Sequence, residues 1–321
     1  MKRIPATILI LFSCFILLDS CSQQEKKKMI TTGTELGEAL FFDPILSRDS
    51  SVSCARCHKP EFAFADNTAL STGIFNRTGT RNTPSVMNQV DRNFYFWDGR
   101  AETLEEQAMV PMENHFEMDF PLSLVIRRLL KNKMYAQAFR HVYGKVPSRE
   151  LLAEAIASYE ETLETANTAF DKYVSGDDTT LLNASAKRGL HIFNTKGKCF
   201  DCHFGVDFTG NDQFRNIGIY NGKNLDDQGR YKISGKQKDL GAFKVPGLRN
   251  IAQTAPYMHN GQFKTLREVI DYYDTPDKFI SNSINRDSLL KKPLGLSETD
   301  KKDLENFLLS LSDERFLKAP K

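Results

Sequence analysis

The chain carries one five-residue pattern twice, as Cys54-Ala55-Arg56-Cys57-His58 and as Cys199-Phe200-Asp201-Cys202-His203. Two thiols separated by two residues, with a histidine directly after the second, form the attachment signature of a c-type haem. The chemistry explains the spacing. Each thiol adds to one vinyl group of the porphyrin, and the adjacent histidine then lies under the iron as proximal ligand. A redox disulfide pair or a four-cysteine zinc site would need the thiols but not the histidines. The sequence therefore predicts two covalently bound c-type haems, on Cys54 and Cys57 with His58, and on Cys199 and Cys202 with His203.

The other two of the six cysteines, Cys14 and Cys21, lie in a different setting. Lys2 and Arg3 are followed by a mostly apolar run from Ile4 to Leu18 and then by Leu18-Asp19-Ser20-Cys21. This reads as a signal peptide over 1–20 that ends in a bacterial lipobox, with Cys21 lipidated after cleavage. The run is short for a retained membrane span. Residues 21–32 then form a tether. The expected location is the periplasmic side of a bacterial envelope membrane, lipid-anchored through Cys21. No disulfide framework is expected. A net charge of +2 argues against nucleic acid as a partner.

At 321 residues the chain has room for two domains. The expected boundaries are 33–176 and 177–321, with Ser175-Gly176-Asp177-Asp178 as the linker. Helical patterning is expected at 34–42, 101–109, 123–142, 148–163, 183–193, 265–273 and 297–311. Ser123 and Ser148 are read as N-caps, and Ser297 with Asp300 as a capping box. Residues 59–100 and 205–243 are rich in glycine and polar residues and read as long loops. No strand pattern stands out, so the expected fold is all-α. The halves also align without a gap. Pro84 meets Pro246, Asn88 meets Asn250, Tyr95 meets Tyr257, Gly99 meets Gly261 and Thr103-Leu104 meets Thr265-Leu266. Trp97 falls opposite His259, and Pro111 opposite Tyr273. The reading is two cytochrome c-like haem domains related by internal duplication. Proline cannot ligate iron, so the comparison predicts an open coordination position at the first haem.

Several further motifs give a specific resemblance. They are Phe41-Phe42-Asp43-Pro44, Arg81-Asn82-Thr83-Pro84-Ser85, Phe96-Trp97-Asp98-Gly99-Arg100, Glu106-Gln107-Ala108, Glu117-Met118, Phe243-Lys244-Val245-Pro246 and Pro256-Tyr257-Met258-His259-Asn260-Gly261. With both haem motifs, they make residues 33–312 resemble the bacterial di-haem cytochrome c peroxidases, including their MauG-like branch. The resemblance implies a peroxide-binding haem at His58 and an electron-transfer haem at His203. It implies Glu117 as distal acid/base, Gln107 as a second polar group of that pocket, and Trp97 as electron relay. It implies a calcium ion held by the Asn82 side chain and the carbonyls of Thr254 and Pro256. It also implies hydrogen peroxide as substrate, a small cytochrome c or cupredoxin as donor, and a homodimer.

Two positions depart from the reductively activated members. Their second-haem ligand is a methionine, whereas Tyr273 stands there, as in the MauG-like enzymes, with Tyr272 and Met258 as alternatives. Their blocking histidine is replaced by Ile74, and His115 is the nearest substitute. Three functions follow as alternatives: a peroxidase fed through the second haem, a MauG-like enzyme that oxidises a side chain such as tryptophan on a partner protein, and a plain electron carrier.

Overall fold

The computed structural model describes residues 29–317. The signal peptide, Cys21 and most of the tether lie outside the described residues. Twelve α-helices follow in order: α1 Gly33–Phe42, α2 Cys54–Cys57, α3 Leu104–Glu113, α4 Leu122–Lys131, α5 Lys133–Tyr143, α6 Arg149–Glu160, α7 Ala169–Ser175, α8 Ala184–Asn194, α9 Tyr231–Ser234, α10 Leu266–Asp274, α11 Glu298–Leu309 and α12 Glu314–Leu317. The sheet among the described residues is one antiparallel ladder of β1 Phe214–Arg215 on β2 Phe243–Lys244. No described helix is long and apolar enough to cross a membrane.

Local chemistry sets most helix starts. Thr32, Thr103, Ser148, Asn183, Thr265 and Ser297 each accept a hydrogen bond from a first-turn amide through the side chain. Ser297 and Asp300 close the expected capping box. The expected single helix over 123–142 is instead two. Asn132 ends α4 and turns its side chain onto the Tyr135 amide to start α5, the competition with helical backbone bonding that asparagine offers. Pro121, not Ser123, precedes α4. The helix expected at 101–109 begins later, behind the Thr103 cap, and runs through Pro111 to Glu113.

Each half is built on one close helix crossing. A methyl group on Gly37 of α1 would lie 1.8 Å from the Ala155 carbonyl oxygen of α6, and one on Gly189 of α8 would lie 1.9 Å from that of Asp303 of α11. Phe41 packs on Tyr159 at 5.2 Å beside the first crossing, and Phe193 on Phe307 at 5.1 Å beside the second. The remaining apolar side chains form one core around α1, α3–α6 and another around α8, α10 and α11.

The halves are interlocked. Helix α7 precedes the Ser175–Asp178 turn, yet Phe170 packs on Phe208 and Phe307, and Asp171 pairs with Arg249. By packing, the seam therefore falls near Thr165, ahead of the boundary expected at 176. Phe316 of α12 returns to pack on the first half. Asn88 and Asn250, both at left-handed φ of 56° and 59°, donate to the same Thr165 hydroxyl at 2.8 and 2.7 Å. Across the junction Arg92 pairs with Asp207 and Arg81 with Asp227, while Asp98 of its own half also holds Arg81. Burial alone would raise the Asp227 carboxyl; the hydrogen bonds and charge of Arg81 outweigh it and hold it down at about 2.

A carboxyl depressed on folding adds stability above its unfolded pKa and loses it as pH falls through its folded one. The Asp227 contribution, on the order of 2 kcal/mol from an unfolded value of about 3.9, is present near neutrality and lost between about pH 4 and about pH 2. Asp227→Asn should therefore lower the unfolding midpoint at neutral pH, with the deficit closing as both proteins are titrated to acid. A deficit independent of pH would show that the pair acts by packing alone.

Candidate active site

The first haem motif folds as the single turn α2, so the thiols of Cys54 and Cys57 share one side of the helix. His58 ends it, its amide donating to the Cys54 carbonyl at 2.9 Å. The ring is fixed by Nδ1–H donating to the Phe64 carbonyl at 3.1 Å, which leaves Nε2 as the ligating atom. Burial holds this imidazole below its ordinary pKa, in the neutral form a ligand needs. Cys57 is pushed up to about 11 and Cys54 well above the ordinary thiol range, in both cases chiefly by burial.

Gln107 sits on α3 and Glu117 just beyond its end. Glu117 lies close enough to both thiols to raise them electrostatically. Burial raises its own carboxyl; the Arg100 charge and a 2.5 Å hydrogen bond from Asn114 Nδ2 only partly offset this. Gln107 Oε1 is buried without a hydrogen-bond partner. The Thr103 and Thr265 caps put α3 and α10 in register, so Gln107 stands where the second half has Val269, and Pro111 where it has Tyr273. Ile74 is fully buried, and its amide donates to the Glu117 carbonyl at 2.8 Å. His115 turns outward. Its ring is exposed and lies 3.1 Å from Arg77 and 3.6 Å from Asp119, so it does not close the first site.

The second motif is a tighter turn, with the His203 amide donating to the Cys199 carbonyl at 2.8 Å and His203 Nδ1–H to the Phe208 carbonyl at 2.8 Å. Cys199, Cys202, His203, Tyr273, Leu304 and Leu308 line a cavity of about 290 Å³. The Tyr273 phenol faces this cavity, and burial pushes it above the ordinary range. Tyr272 is engaged elsewhere, donating to the Ile217 carbonyl at 2.7 Å, and Met258 also lines the cavity. Free thiols, imidazoles presenting Nε2, an unpartnered amide oxygen in the first half and an apolar cavity in the second fit a haem in each half.

At the edge of the second cavity Trp97 Nε1 donates to the Asn82 carbonyl at 2.8 Å, and the Asn82 backbone amide donates to the His259 carbonyl at 2.7 Å. The Trp97 and His259 rings meet edge-on at 6.4 Å, and His259 stacks on Phe243 at 3.7 Å. The two positions that the repeat sets opposite one another thus touch. Burial, with the Arg81 charge, keeps His259 down at about 4 against the pull of Asp227, so it is neutral.

The family profile for di-haem cytochrome c peroxidase matches residues 31–179. The methylamine utilization protein MauG of Methylorubrum extorquens is 37% identical over 87% of this chain and 78% of its own. The chain belongs to the di-haem cytochrome c peroxidase family. The cytochrome c551 peroxidase of Pseudomonas aeruginosa is 40% identical over 74% of this chain and 70% of its own. The crystal structure of a MauG-like protein associated with microbial copper homeostasis superposes with a TM-score of 0.82 at 27% identity, covering 91% of this chain and 93% of that one. The family is one of oxidoreductases acting on peroxide, and its two c-type haems are the cofactors that the repeated motif predicts.

Asn82, Thr254 and Pro256 all line the cavity that holds the second haem motif. Asn82 Nδ2 is engaged with the Thr68 and Ala69 carbonyls, so Oδ1 is the atom that would hold calcium. No group of three or more His, Cys, Asp or Glu residues gathers as a metal cage among the described residues, and calcium here remains our proposal. Three polar residues escaped sequence reasoning. Arg100, whose Nη1 donates to both Asp98 carboxylate oxygens and whose guanidinium stacks on Phe96 at 3.5 Å, and Asn114 both act on Glu117. Glu160 is buried on α6, and its one sequence signal is that it continues the i, i+4 row Leu152, Ile156.

Tyr272→Phe should cost about 1–2 kcal/mol in denaturant unfolding by leaving the Ile217 carbonyl unpaired, with haem absorption unchanged. A changed haem spectrum would make Tyr272, not Tyr273, the group at the second iron.

Proposed function

We propose that this protein is a periplasmic di-haem peroxidase that reduces hydrogen peroxide to water at its first haem, with electrons arriving through the second from a small cytochrome c or cupredoxin. The observation that carries the reading is the asymmetry of matched positions. The half-buried pair Glu117 and Gln107 belongs to the half in which Pro111 occupies the place of Tyr273. The bound haem supplies the iron at which peroxide is reduced. Glu117 takes the proton from the near oxygen of peroxide and returns it to the leaving oxygen, the task of a positioned carboxyl of raised pKa. The Asn114 hydrogen bond fixes its orientation. Gln107 orients the substrate through its unpartnered oxygen. Trp97 relays electrons along the Asn82–His259 junction. We further propose that Cys21 anchors the protein by lipid on the periplasmic side of an envelope membrane, and that the halves descend from one duplicated cytochrome c-like domain.

A second reading is favoured by Tyr273 and Ile74. A phenolate at the second iron favours oxidised states, where methionine raises the potential, and no histidine holds the first site shut. In this reading the electrons come from a side chain of a partner protein, tryptophan being the usual choice. Under both readings the fully oxidised protein reacts with peroxide without prior reduction.

Glu117→Gln should lower peroxide turnover by about 10²–10⁴-fold with haem content and both optical spectra intact. Unchanged turnover would remove Glu117 from the mechanism. Mixing the oxidised protein with one equivalent of peroxide, followed by EPR and optical spectra, should show one high-spin and one low-spin haem at the start and an immediate change. Two low-spin haems that ignore peroxide until half-reduced would overturn the open first site. Fast turnover with reduced cytochrome c would select the peroxidase; slow turnover with modification of a co-encoded exported protein would select the second reading.

A further inference from the structure

Glu160 is a buried carboxyl that the peroxide reading does not use. It is 4% exposed, and its Oε2 has no hydrogen-bond partner. The two helix crossings identify what it faces. Gly37 approaches Ala155 and Tyr159 as Gly189 approaches Asp303 and Phe307, so Glu160, the residue after Tyr159, occupies the position of Leu308. Leu308 lines the cavity of the second haem with Cys199 and His203. Glu160 accordingly borders the first haem, and its charge is felt by Cys54, the first thioether position.

We propose that Glu160 is a proton-holding residue of the first haem: a neutral acid against the haem when that haem is reduced, which releases its proton as the haem is oxidised and regains it on reduction. The step balances. One electron leaves to the oxidant, peroxide in turnover or the electrode in a titration, one proton leaves to water, and the net charge of the buried region is unchanged. The inference rests on haem attachment at Cys54 and Cys57, and not on the identity of the electron source or substrate.

The surroundings favour this role. Burial raises the Glu160 carboxyl to about 8, with no other group contributing. Cys54 of α2 and Tyr159 of α6 itself are the titratable groups that sense it, and Cys54 stops titrating once it is a thioether. The carboxylates that α1 and α3 bring to α6 lie elsewhere. Glu38, Glu105, Glu106 and Glu113 are exposed, and Glu35 is bonded to Thr31. A positive charge added to the neighbouring haem favours the carboxylate, so oxidation becomes easier as pH rises and the potential falls.

The test is a spectroelectrochemical titration of the holoprotein from about pH 6 to about pH 10, across the raised carboxyl pKa, in wild type, Glu160→Gln and Glu160→Leu. The wild-type first-haem potential should fall with pH, towards one proton per electron at the steepest point. Both variants should lose that slope, while the second haem, bordered by Leu308, should behave alike in all three. Redox difference infrared spectra should show a protonated carboxyl band that Glu160→Gln removes. Glu160→Gln is nearly isosteric and keeps the test valid where Glu160→Leu fails to fold. A flat wild-type titration, or a slope that survives in Glu160→Gln, would overturn the proposal. A wild type that shows the slope but no peroxide turnover would count against the peroxidase reading instead.

Discussion

Two glycines carry the frame of this molecule. At Gly37 and Gly189 one helix lies so close to another that a single added carbon would overlap a carbonyl oxygen. Overpacking of this kind costs about 1–3 kcal/mol, and here the obstruction is backbone, which cannot rotate away. The crossing fixes the rotation of α6 and α11, and with it which residues of those helices border the haems. The aromatic contacts Phe41–Tyr159 and Phe193–Phe307 lock the same geometry in each half. Other site positions inherit their places from that frame.

On this shared frame the two halves diverge at a few matched positions. Val269, Tyr273 and Leu308 give the second site an apolar wall and one phenol; Gln107, Pro111 and Glu160 give the first an amide, no ligand and an acid. The first site thus carries polar groups at positions where the second carries apolar side chains and a phenol. Polar groups buried without partners are costly, and Gln107 and Glu160 both belong to the half that we propose handles substrate. The junction compensates, with Arg81, Arg92 and Arg249 each pairing with two carboxylates or with a carboxylate and a hydroxyl.

What the sequence revealed follows from range. The Cys-x-x-Cys-His spacing is covalent chemistry written in five residues, and Ser297 with Asp300 is a bond three residues long; both could be read directly. The repeat extended that reach, because it brought Trp97 to His259 and Pro111 to Tyr273 before any coordinates did. What stayed hidden was long-range or ambiguous. The Arg81–Asp227 pair joins residues far apart in sequence, with no periodicity to announce it. Asn132 within an apolar-periodic run looks like one more polar helix position until its side chain is seen on the Tyr135 amide. Helix α7 was masked by its own terminator, since Gly176 and two aspartates resemble a linker while Phe170 is held in the far core. Glu160 was missed because the second crossing aligns the halves at a different offset from the one that matches their asparagine turns.

The thiols described above set an order of events in the making of this protein. Thioether formation needs an accessible, reactive sulfur. In the folded chain burial drives Cys57 up to about 11 and Cys199 to about 12, and Cys54 further still. A thiol held protonated is a poorer nucleophile, so attachment is favoured while each motif is still open to solvent. Since one threonine hydroxyl serves the asparagine turns of both halves, closing one half draws in the other. Attachment at both motifs is therefore favoured ahead of the closure that this shared hydroxyl couples.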